Sequence, residues 1–333
     1  MSASLRTSYL GLELQTPLVP SASPLGADLE MLRRLEDAGA GAVVLPSLFE
    51  EQIEHDEFAF HFALETGAEA HAEAMSYFPQ PDLPSTSEAY LSHVAAAKEA
   101  LSIPVIASLN GSTPGGWVRY AREIERAGAD ALELNVYAVE ADPSTTAAQV
   151  EERILGVVRS VRAEVQIPVA VKLGPYFSAF AHMAGRLALA GANGLVLFNR
   201  FLQPNIELRD LSVEPTISLS TPDELRLPLR WIAILHGKFP VSLAATSGIH
   251  TGEDALKALL AGADVAMLAS ALIRHGPGHL AQMLAELSEW LDENEYTSVN
   301  QLRGSLSQAS CPDPAAFERA SYMRTLVSFS RIR

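Results

Sequence analysis

The stretch ALKALLAGADVAMLAS, residues 255–270, contains the pattern that decides the fold. Its first half places apolar residues at helical spacing, and its second half is a short apolar run typical of a buried strand. The phrase Ala-Gly-Ala at 261–263 lies between the two. Glycine can end a helix with a positive φ, and alanine packs the turn under a sheet. The stretch therefore predicts a helix that turns directly into a buried strand.

The same Ala-Gly-Ala phrase recurs at 38–40, 127–129 and 190–192, each time shortly before another apolar run. Such nearly continuous apolar runs are typical of parallel strands buried on both faces of a sheet. The predicted strands are 18–23, 42–47, 105–110, 131–136, 169–174, 194–199, 241–246 and 265–270. Helical patterns lie between most of them, at 29–39, 113–129, 147–164, 178–191 and 252–263.

Eight strands, mostly joined by helices, in a chain of 333 residues predict an α/β fold, a closed (β/α)8 TIM barrel. An open doubly wound sheet is the alternative, but the first strand is not followed by the G-x-G-x-x-G pattern usual in that fold. Long loops at 48–90 and 200–225 follow strands two and six. Both leave the strand ends where barrel active sites lie, which indicates lids or substrate walls.

The alternation of predicted strands and helices also indicates the domain organisation. Residues 1–305 form the predicted barrel, and residues 306–333 form a C-terminal tail that packs on the barrel or on a partner subunit.

Composition narrows the class of function. The formal net charge is −16, so the surface would repel nucleic acid and anionic membranes, and neither is an expected partner. A single cysteine, Cys311, excludes an intrachain disulfide and Cys-rich zinc or iron–sulfur sites. The histidines show no repeated spacing, so no metal site is expected. Without a signal-peptide pattern or a long apolar run, we expect a cytoplasmic protein.

Small residues follow the last two predicted strands, where barrels commonly bind phosphate. Ser247 and Gly248 follow strand seven, and Ala269 and Ser270 follow strand eight. Small side chains let backbone N–H groups approach an anion. The pattern favours a phosphate cup, and tight turns without a ligand are the alternative.

Polar side chains near the ends of strands four to six indicate a ligand site. Lys172 is a lone cation in an apolar strand, and burying it unpaired is costly. We interpret it as a ligand-facing residue, with an ion pair to Glu133 as the alternative. Asn135 and Asn199 end the neighbouring strands and could offer amide donors and acceptors, or serve only as turn residues.

Four segments together resemble the dihydroorotate dehydrogenase family of FMN-dependent barrels. They are YLGLELQTPLVPSASPLG (9–26), AVKLGP (170–175), ATSGIHTGEDALKALLAGAD (245–264) and LASALIRHGPG (268–278). The resemblance extends over roughly residues 5 to 305 and is to the branch without a membrane-binding extension. It implies an N-terminal β-hairpin, bound FMN, hydride transfer to the flavin, a step of pyrimidine biosynthesis and a homodimer.

The resemblance also assigns roles to individual residues. Lys172 would lie beside the N1–C2=O edge of the flavin, where negative charge develops on reduction. The remaining flavin contacts would be Ala22 and Ser23 along the ring, and Ser247, Gly248, Ala269 and Ser270 at the phosphate. Asn135 and Asn199 match two asparagines that hold the pyrimidine substrate.

The substrate half of the family pattern is altered. The family motif after strand four is Asn-Leu-Ser-Cys-Pro-Asn, or a version with serine for cysteine, and that Cys or Ser accepts the substrate proton. Here Ala138 stands in its place and cannot accept a proton. Tyr137, Glu140 and Asp142 are candidate replacements, with ordinary loop residues as the alternative. Glu140 is the best candidate, because a carboxylate can be tuned to act as a base. Two further substrate positions also differ, at Pro46 and Ala74.

Several functions remain open at this point. The first is an FMN-dependent oxidoreductase that exchanges hydride with a small, pyrimidine-like molecule. A genuine dihydroorotate dehydrogenase with a relocated base is the alternative within the same class. A non-catalytic flavin-binding subunit would need a redox partner, because the chain lacks iron–sulfur ligands. A barrel lyase or synthase would be colourless and could use Lys172 as a Schiff-base lysine.

Overall fold

A computed structural model of the chain describes residues 3–50, 86–110, 114–136, 139–200, 203–216, 218–318 and 326. Eight parallel strands form a nearly closed barrel, in the hydrogen-bonded order β3-β12-β11-β8-β7-β6-β5-β4. The barrel strands are β3 Leu18–Pro20, β4 Val43–Phe49, β5 Val105–Asn110, β6 Ala131–Asn135, β7 Val169–Leu173, β8 Gly194–Leu197, β11 Ser242–Thr246 and β12 Val265–Leu268. The prediction of a (β/α)8 TIM barrel is confirmed.

Helices join the strands on the outside of the barrel. In chain order they are α1 Leu29–Asp37, α2 Thr86–Ala100, α3 Pro114–Arg126, α4 Ala147–Glu164, α5 Phe180–Leu189, α6 Arg226–Leu235, α7 Gly252–Ala261, α8 Ser270–His275, α9 His279–Glu293 and α10 Val299–Leu302. Short 3-10 turns lie at Pro24–Ala27, Pro222–Leu225 and Pro314–Phe317. Among the described residues, no helix is both long enough and apolar enough to cross a bilayer.

The alternation of side chains along each strand creates two hydrophobic layers. On β6, Leu132 and Leu134 belong to the layer between strands and helices, whereas Ala131 belongs to the layer inside the barrel. Residues two apart on a strand point to the same face. Glu133 and Asn135 therefore share the inward face with Ala131, and the strand carries its polar groups toward the barrel axis.

An N-terminal hairpin closes the bottom of the barrel, as the family resemblance predicts. Strands β1 Thr7–Tyr9 and β2 Leu12–Leu14 pair antiparallel. Tyr9 and Leu10 pack with the interior layer, and the Leu10 N–H donates to Ser242 Oγ at 3.0 Å. Because the hairpin closes this end, a ligand can enter only at the opposite end of the barrel, where the carboxyl ends of the strands lie.

The Ala-Gly-Ala turns take the conformation that the sequence predicts. Their glycines have φ values of +97° at Gly39, +97° at Gly128, +102° at Gly191 and +118° at Gly262. In each turn the backbone N–H groups around the glycine return to the last helical carbonyls. This geometry satisfies carbonyls that would otherwise lack partners at the helix end.

The loop after β8 contains secondary structure that the sequence analysis does not predict. The loop after β8 contains an antiparallel hairpin, β9 Gln203–Glu207 and β10 Ser212–Thr216. Each of these strands contains a proline, Pro204 and Pro215, which disguises them in the sequence because proline is rare inside sheets. Most of the loop after β4, residues 51–85, lies outside the described residues, and α2 begins at its end.

Two glycines give a matched test of the packing. Gly41 lies where an added Cβ would approach the Thr16 carbonyl oxygen to 2.0 Å, so Gly41→Ala should cost about 1–3 kcal/mol of unfolding free energy. Gly156, inside α4, has no atom within 4 Å of its added Cβ. Gly156→Ala should instead stabilise by about 0.5–1 kcal/mol. Urea unfolding midpoints measure both, and equal midpoints would contradict the described packing at Gly41.

Candidate active site

A cavity of 660 Å³ opens at the carboxyl ends of the barrel strands, and we call it the mouth cavity. Each of the eight barrel strands contributes at least one lining residue, either from its carboxyl-terminal end or from the loop that follows it. Its volume lies within the roughly 300–1,000 Å³ typical of small-molecule and cofactor sites. The described lining residues are Ser21–Pro24, Ala27, Pro46, Ser47, Phe49, Asn110, Asn135, Lys172, Phe198–Arg200, Ser218–Ser220, Thr246–Ile249, Met267–Ser270 and Ile273.

All nine residues predicted to bind cofactor or substrate line this one cavity. They come from the ends of six barrel strands, and only the closure of the barrel brings them together. They are Ala22, Ser23, Asn135, Lys172, Asn199, Ser247, Gly248, Ala269 and Ser270.

Lys172 lies on the wall of the mouth cavity and is 7% exposed. Its Nζ is 3.4 Å from Glu133 Oε1 and 3.4 Å from Ser21 Oγ. Charge-assisted hydrogen bonds are usually shorter, about 2.7–2.9 Å, so both contacts are long. The two interpretations of this lysine are therefore compatible. It makes a buried ion pair with Glu133 and also contributes to the cavity wall.

Asparagines from three strand ends gather on one side of the cavity. Asn199 Nδ2 donates to Asn135 Oδ1 at 2.5 Å. Asn110, at the end of β5, lines the same cavity and is almost fully buried. It was not among the predicted site residues, although VIASLN ends on asparagine just as ALELN does. The three amides give the cavity a cluster of donors and acceptors suited to a flat, polar ligand.

The predicted phosphate cup consists of small residues in an unusual backbone conformation. Ser247 and Gly248 both have positive φ, +76° and +77°. For a non-glycine residue such as Ser247 this conformation is strained, and strain of this kind concentrates at ligand sites. The Ser220 backbone N–H donates to Ser270 Oγ at 3.0 Å and so connects the loop after β8 to the turn after β12.

Arg200 is a second cation in the cavity wall, and no sequence pattern predicts its place there. Its guanidinium donates to Glu224 Oε2 at 2.5 Å and to Ser218 Oγ at 3.2 Å. These bonds tie the beginning of the loop after β8 to its end. Lys172 and Arg200 are the charged side chains among the described lining residues. Each of these two cations is paired with a carboxylate, Lys172 with Glu133 and Arg200 with Glu224.

Glu140 and Asp142, two of the candidate replacement bases, are not among the described lining residues of the mouth cavity. Tyr137 and Ala138 lie outside the described residues. Glu140 forms an ion pair with Arg153 of α4, and Glu140 is not among the described lining residues. Asp142 accepts hydrogen bonds from the N–H and hydroxyl of Ser144, which hold the pKa of its carboxyl below its usual range. The roles of Tyr137 and Glu140 therefore stay predictions.

A buried serine–histidine pair lies beside the phosphate cup and gives a pH-dependent prediction. Ser220 Oγ and His250 Nε2 are 3.1 Å apart. Burial, and then the nearby Arg274 charge, lower the pKa of His250, while Asp254 acts in the opposite direction. The unfolded chain therefore takes up a proton near the usual pKa of about 6.5 that the folded protein does not, so His250 reduces stability as pH falls through that value.

Replacing His250 with glutamine should remove that part of the stability loss between pH 7.5 and pH 5.5. Thermal unfolding across this range measures the effect, and the exposed His182 of α5, changed to glutamine, is the control. A pH profile of His250→Gln that is parallel to wild type would show that His250 is protonated equally in the folded and unfolded states.

Comparisons with known proteins match this chain to dihydroorotate dehydrogenases. A family model for dihydroorotate dehydrogenase matches residues 4–291. The putative dihydroorotate dehydrogenase A (fumarate) of Aeropyrum pernix is 28% identical over 320 residues, covering 90% of this chain and 96% of the relative.

Two further relatives are named as catalytic subunits of dihydroorotate dehydrogenase B (NAD(+)). That of Methanothermobacter thermautotrophicus is 26% identical over 308 residues, with 90% of this chain and 97% of the relative covered. That of Pyrococcus abyssi is 28% identical over 306 residues, with 90% and 98% covered. The match to the family model extends from the N-terminal hairpin into α9.

Proposed function

The chain belongs to the dihydroorotate dehydrogenase family, and we propose that it is an FMN-dependent oxidoreductase that exchanges hydride with a small, planar, pyrimidine-like molecule. One observation carries the proposal. All nine residues that the family pattern assigns to cofactor and substrate line one 660 Å³ cavity at the carboxyl ends of the barrel strands.

The residues present suit FMN. Bound FMN would supply a ring that accepts hydride and becomes negatively charged. Lys172 would hold positive charge near that ring, and a fixed cation stabilises charge that develops during reaction. Ser247, Gly248, Ala269 and Ser270 would hold the phosphate through backbone N–H groups. The 660 Å³ volume, the Lys172 cation and the small residues after β11 and β12 support this assignment.

The substrate side is where this protein departs from its family. Asn135 and Asn199 would bind the polar edge of the substrate, and we add Asn110 to them. Ala138 cannot accept a proton, so the base must come from elsewhere. Glu140 would have to leave its ion pair with Arg153 to reach a substrate, and Tyr137 is the second candidate. The absence of a proton-accepting side chain at position 138 favours a substrate other than dihydroorotate, or slow turnover of dihydroorotate.

Assembly with a partner is part of the same proposal. The β9–β10 hairpin exposes four apolar side chains, Ile206, Leu208, Leu211 and Val213, which are 65–84% exposed. A cluster of exposed apolar residues is typical of an interaction surface. We propose a homodimer, and a redox partner in addition if another subunit accepts the electrons. Sedimentation of the wild type and of an Ile206→Ser/Val213→Ser variant tests the first point.

The visible spectrum of the purified protein, reconstituted with FMN, tests the function. A bound-flavin spectrum that bleaches with anaerobic dihydroorotate would identify a genuine dihydroorotate dehydrogenase with a relocated base. Glu140→Gln and Tyr137→Phe would then locate that base. A flavin spectrum unchanged by dihydroorotate but bleached by another reduced heterocycle would support a different substrate. Failure to bind FMN at all would refute the proposal.

A further inference from the structure

A buried carboxylate lies directly below the cation of the mouth cavity. Glu133, on β6, is 1% exposed. Its Oε1 is 3.4 Å from Lys172 Nζ, and its Oε2 has no hydrogen-bond partner among the described residues. An unpaired oxygen on a buried carboxylate is costly, because the group has lost water without replacing it. A residue kept at such a cost needs an explanation beyond packing.

The surroundings of Glu133 place its charge on the barrel axis, away from solvent. Below it, the Tyr9 hydroxyl of the N-terminal hairpin is also buried without a partner among the described residues. Burial, followed by the Glu133 charge, raises the pKa of Tyr9 well above its usual range. Above it, Lys172 contacts Ser21 as well. A charge in this low-dielectric interior acts on its neighbours with little attenuation.

We propose that Glu133 is a positioning residue that fixes the Lys172 ammonium at the cavity wall and offsets part of its positive charge, which lowers the reduction potential of the flavin held above it. The inference rests on the proposed function, since it requires FMN in the mouth cavity. A lone ammonium would favour the reduced, negatively charged ring more strongly than an ammonium paired with a carboxylate does. Glu133 therefore sets how readily this protein's flavin takes electrons.

The test is the midpoint potential of bound FMN in Glu133→Gln, measured against a reference dye. Glutamine keeps the volume and an oxygen that accepts a hydrogen bond from Lys172, but it removes the charge. The expected result is a shift to a more positive potential with FMN still bound. Glu133→Asp keeps the charge at a longer distance, and a smaller shift in the same direction is expected.

A second pair of variants asks whether Glu133 acts through Lys172. In a Lys172→Met background, adding Glu133→Gln should change the potential less than it does in the wild type, because no ammonium remains for Glu133 to hold at the cavity wall. A merely structural role would lower thermal stability and leave the potential unchanged. Should Glu133→Gln not fold, the Glu133→Asp potential decides the matter alone.

The outcomes separate this inference from the proposed function. Equal potentials in wild type and Glu133→Gln, with flavin bound in both, overturn the role of Glu133 and leave the FMN proposal standing. Wild-type protein that does not bind FMN overturns both. A full-sized shift that persists in the Lys172→Met background shows a direct effect on the flavin and overturns the positioning role.

Discussion

Replacing Lys172 with methionine is expected to damage both stability and flavin reduction. The change removes the cation but leaves Glu133 buried, with the nearest ammonium gone. Removing one partner of a buried ion pair typically costs about 3–5 kcal/mol. Loss of a preorganised electrostatic contact at a reacting centre typically slows the chemistry by about 10²–10³-fold. Urea unfolding and stopped-flow flavin reduction measure the two effects separately.

Two comparisons give the Lys172 result its meaning. Lys172→Met/Glu133→Gln removes both charges, so it should regain most of the lost stability but not the rate. Lys98, which bonds to Asp130 at 2.7 Å near the surface, is the control for a lysine in an ordinary ion pair. Lys98→Met should cost no more than about 1 kcal/mol. If Lys172→Met unfolds at the wild-type urea concentration, the ion pair with Glu133 contributes nothing to the folded state.

Changing Gly248 to alanine is expected to weaken FMN binding. Gly248 has a φ of +77°, and an added Cβ would approach the Leu225 backbone nitrogen to 2.3 Å. The turn must move, and the backbone groups of the phosphate cup move with it. The affinity for FMN should fall by about tenfold or more, which corresponds to about 1.4 kcal/mol. The affinity for riboflavin, which lacks the phosphate, should change less.

Gly237 provides the matched control for this prediction. It has a similar φ of +74°, but no atom lies within 4 Å of its added Cβ, and it is not a residue of the mouth cavity. Gly237→Ala therefore carries the same backbone strain, roughly 1–2 kcal/mol, without the collision. Fluorescence titration with FMN should distinguish the two variants. Equal FMN affinities would mean that the turn after β11 does not hold the phosphate.

The barrel could be predicted from the sequence because its signals are local. Apolar runs mark strands buried on both faces, and glycines such as Gly39 and Gly262 mark the helix ends with a conformation that only glycine adopts easily. Both signals depend on a few neighbouring residues. The β9–β10 hairpin was missed because Pro204 and Pro215 contradict the usual composition of a strand, and only pairing between the two segments reveals it.

Site residues could be predicted from the sequence where a polar or charged side chain interrupts an apolar strand. Lys172 is conspicuous in an apolar run, whereas Arg200 follows a strand end in a loop with other polar residues. Its place in the cavity depends on contacts with Glu224 and Ser218, which are distant in sequence. Likewise, nothing local shows that Glu133 lacks a partner for one of its oxygens. Such properties follow only from the closed barrel.

The order of strands around the barrel has a consequence for how the protein is made. The first barrel strand, β3, pairs with β12, the last one. During translation, Leu18 therefore cannot pair with Ala266 until about 250 further residues have been synthesised. At translation rates of about 5–20 residues per second, this delay lasts roughly 10 to 50 s. Among the residues that the structure describes, β3 makes one backbone hydrogen bond on its other side, from the Gly41 N–H to the Leu18 carbonyl at 2.9 Å. During that interval an apolar strand edge is exposed, so we expect the yield of nascent protein to depend on chaperones that shelter it.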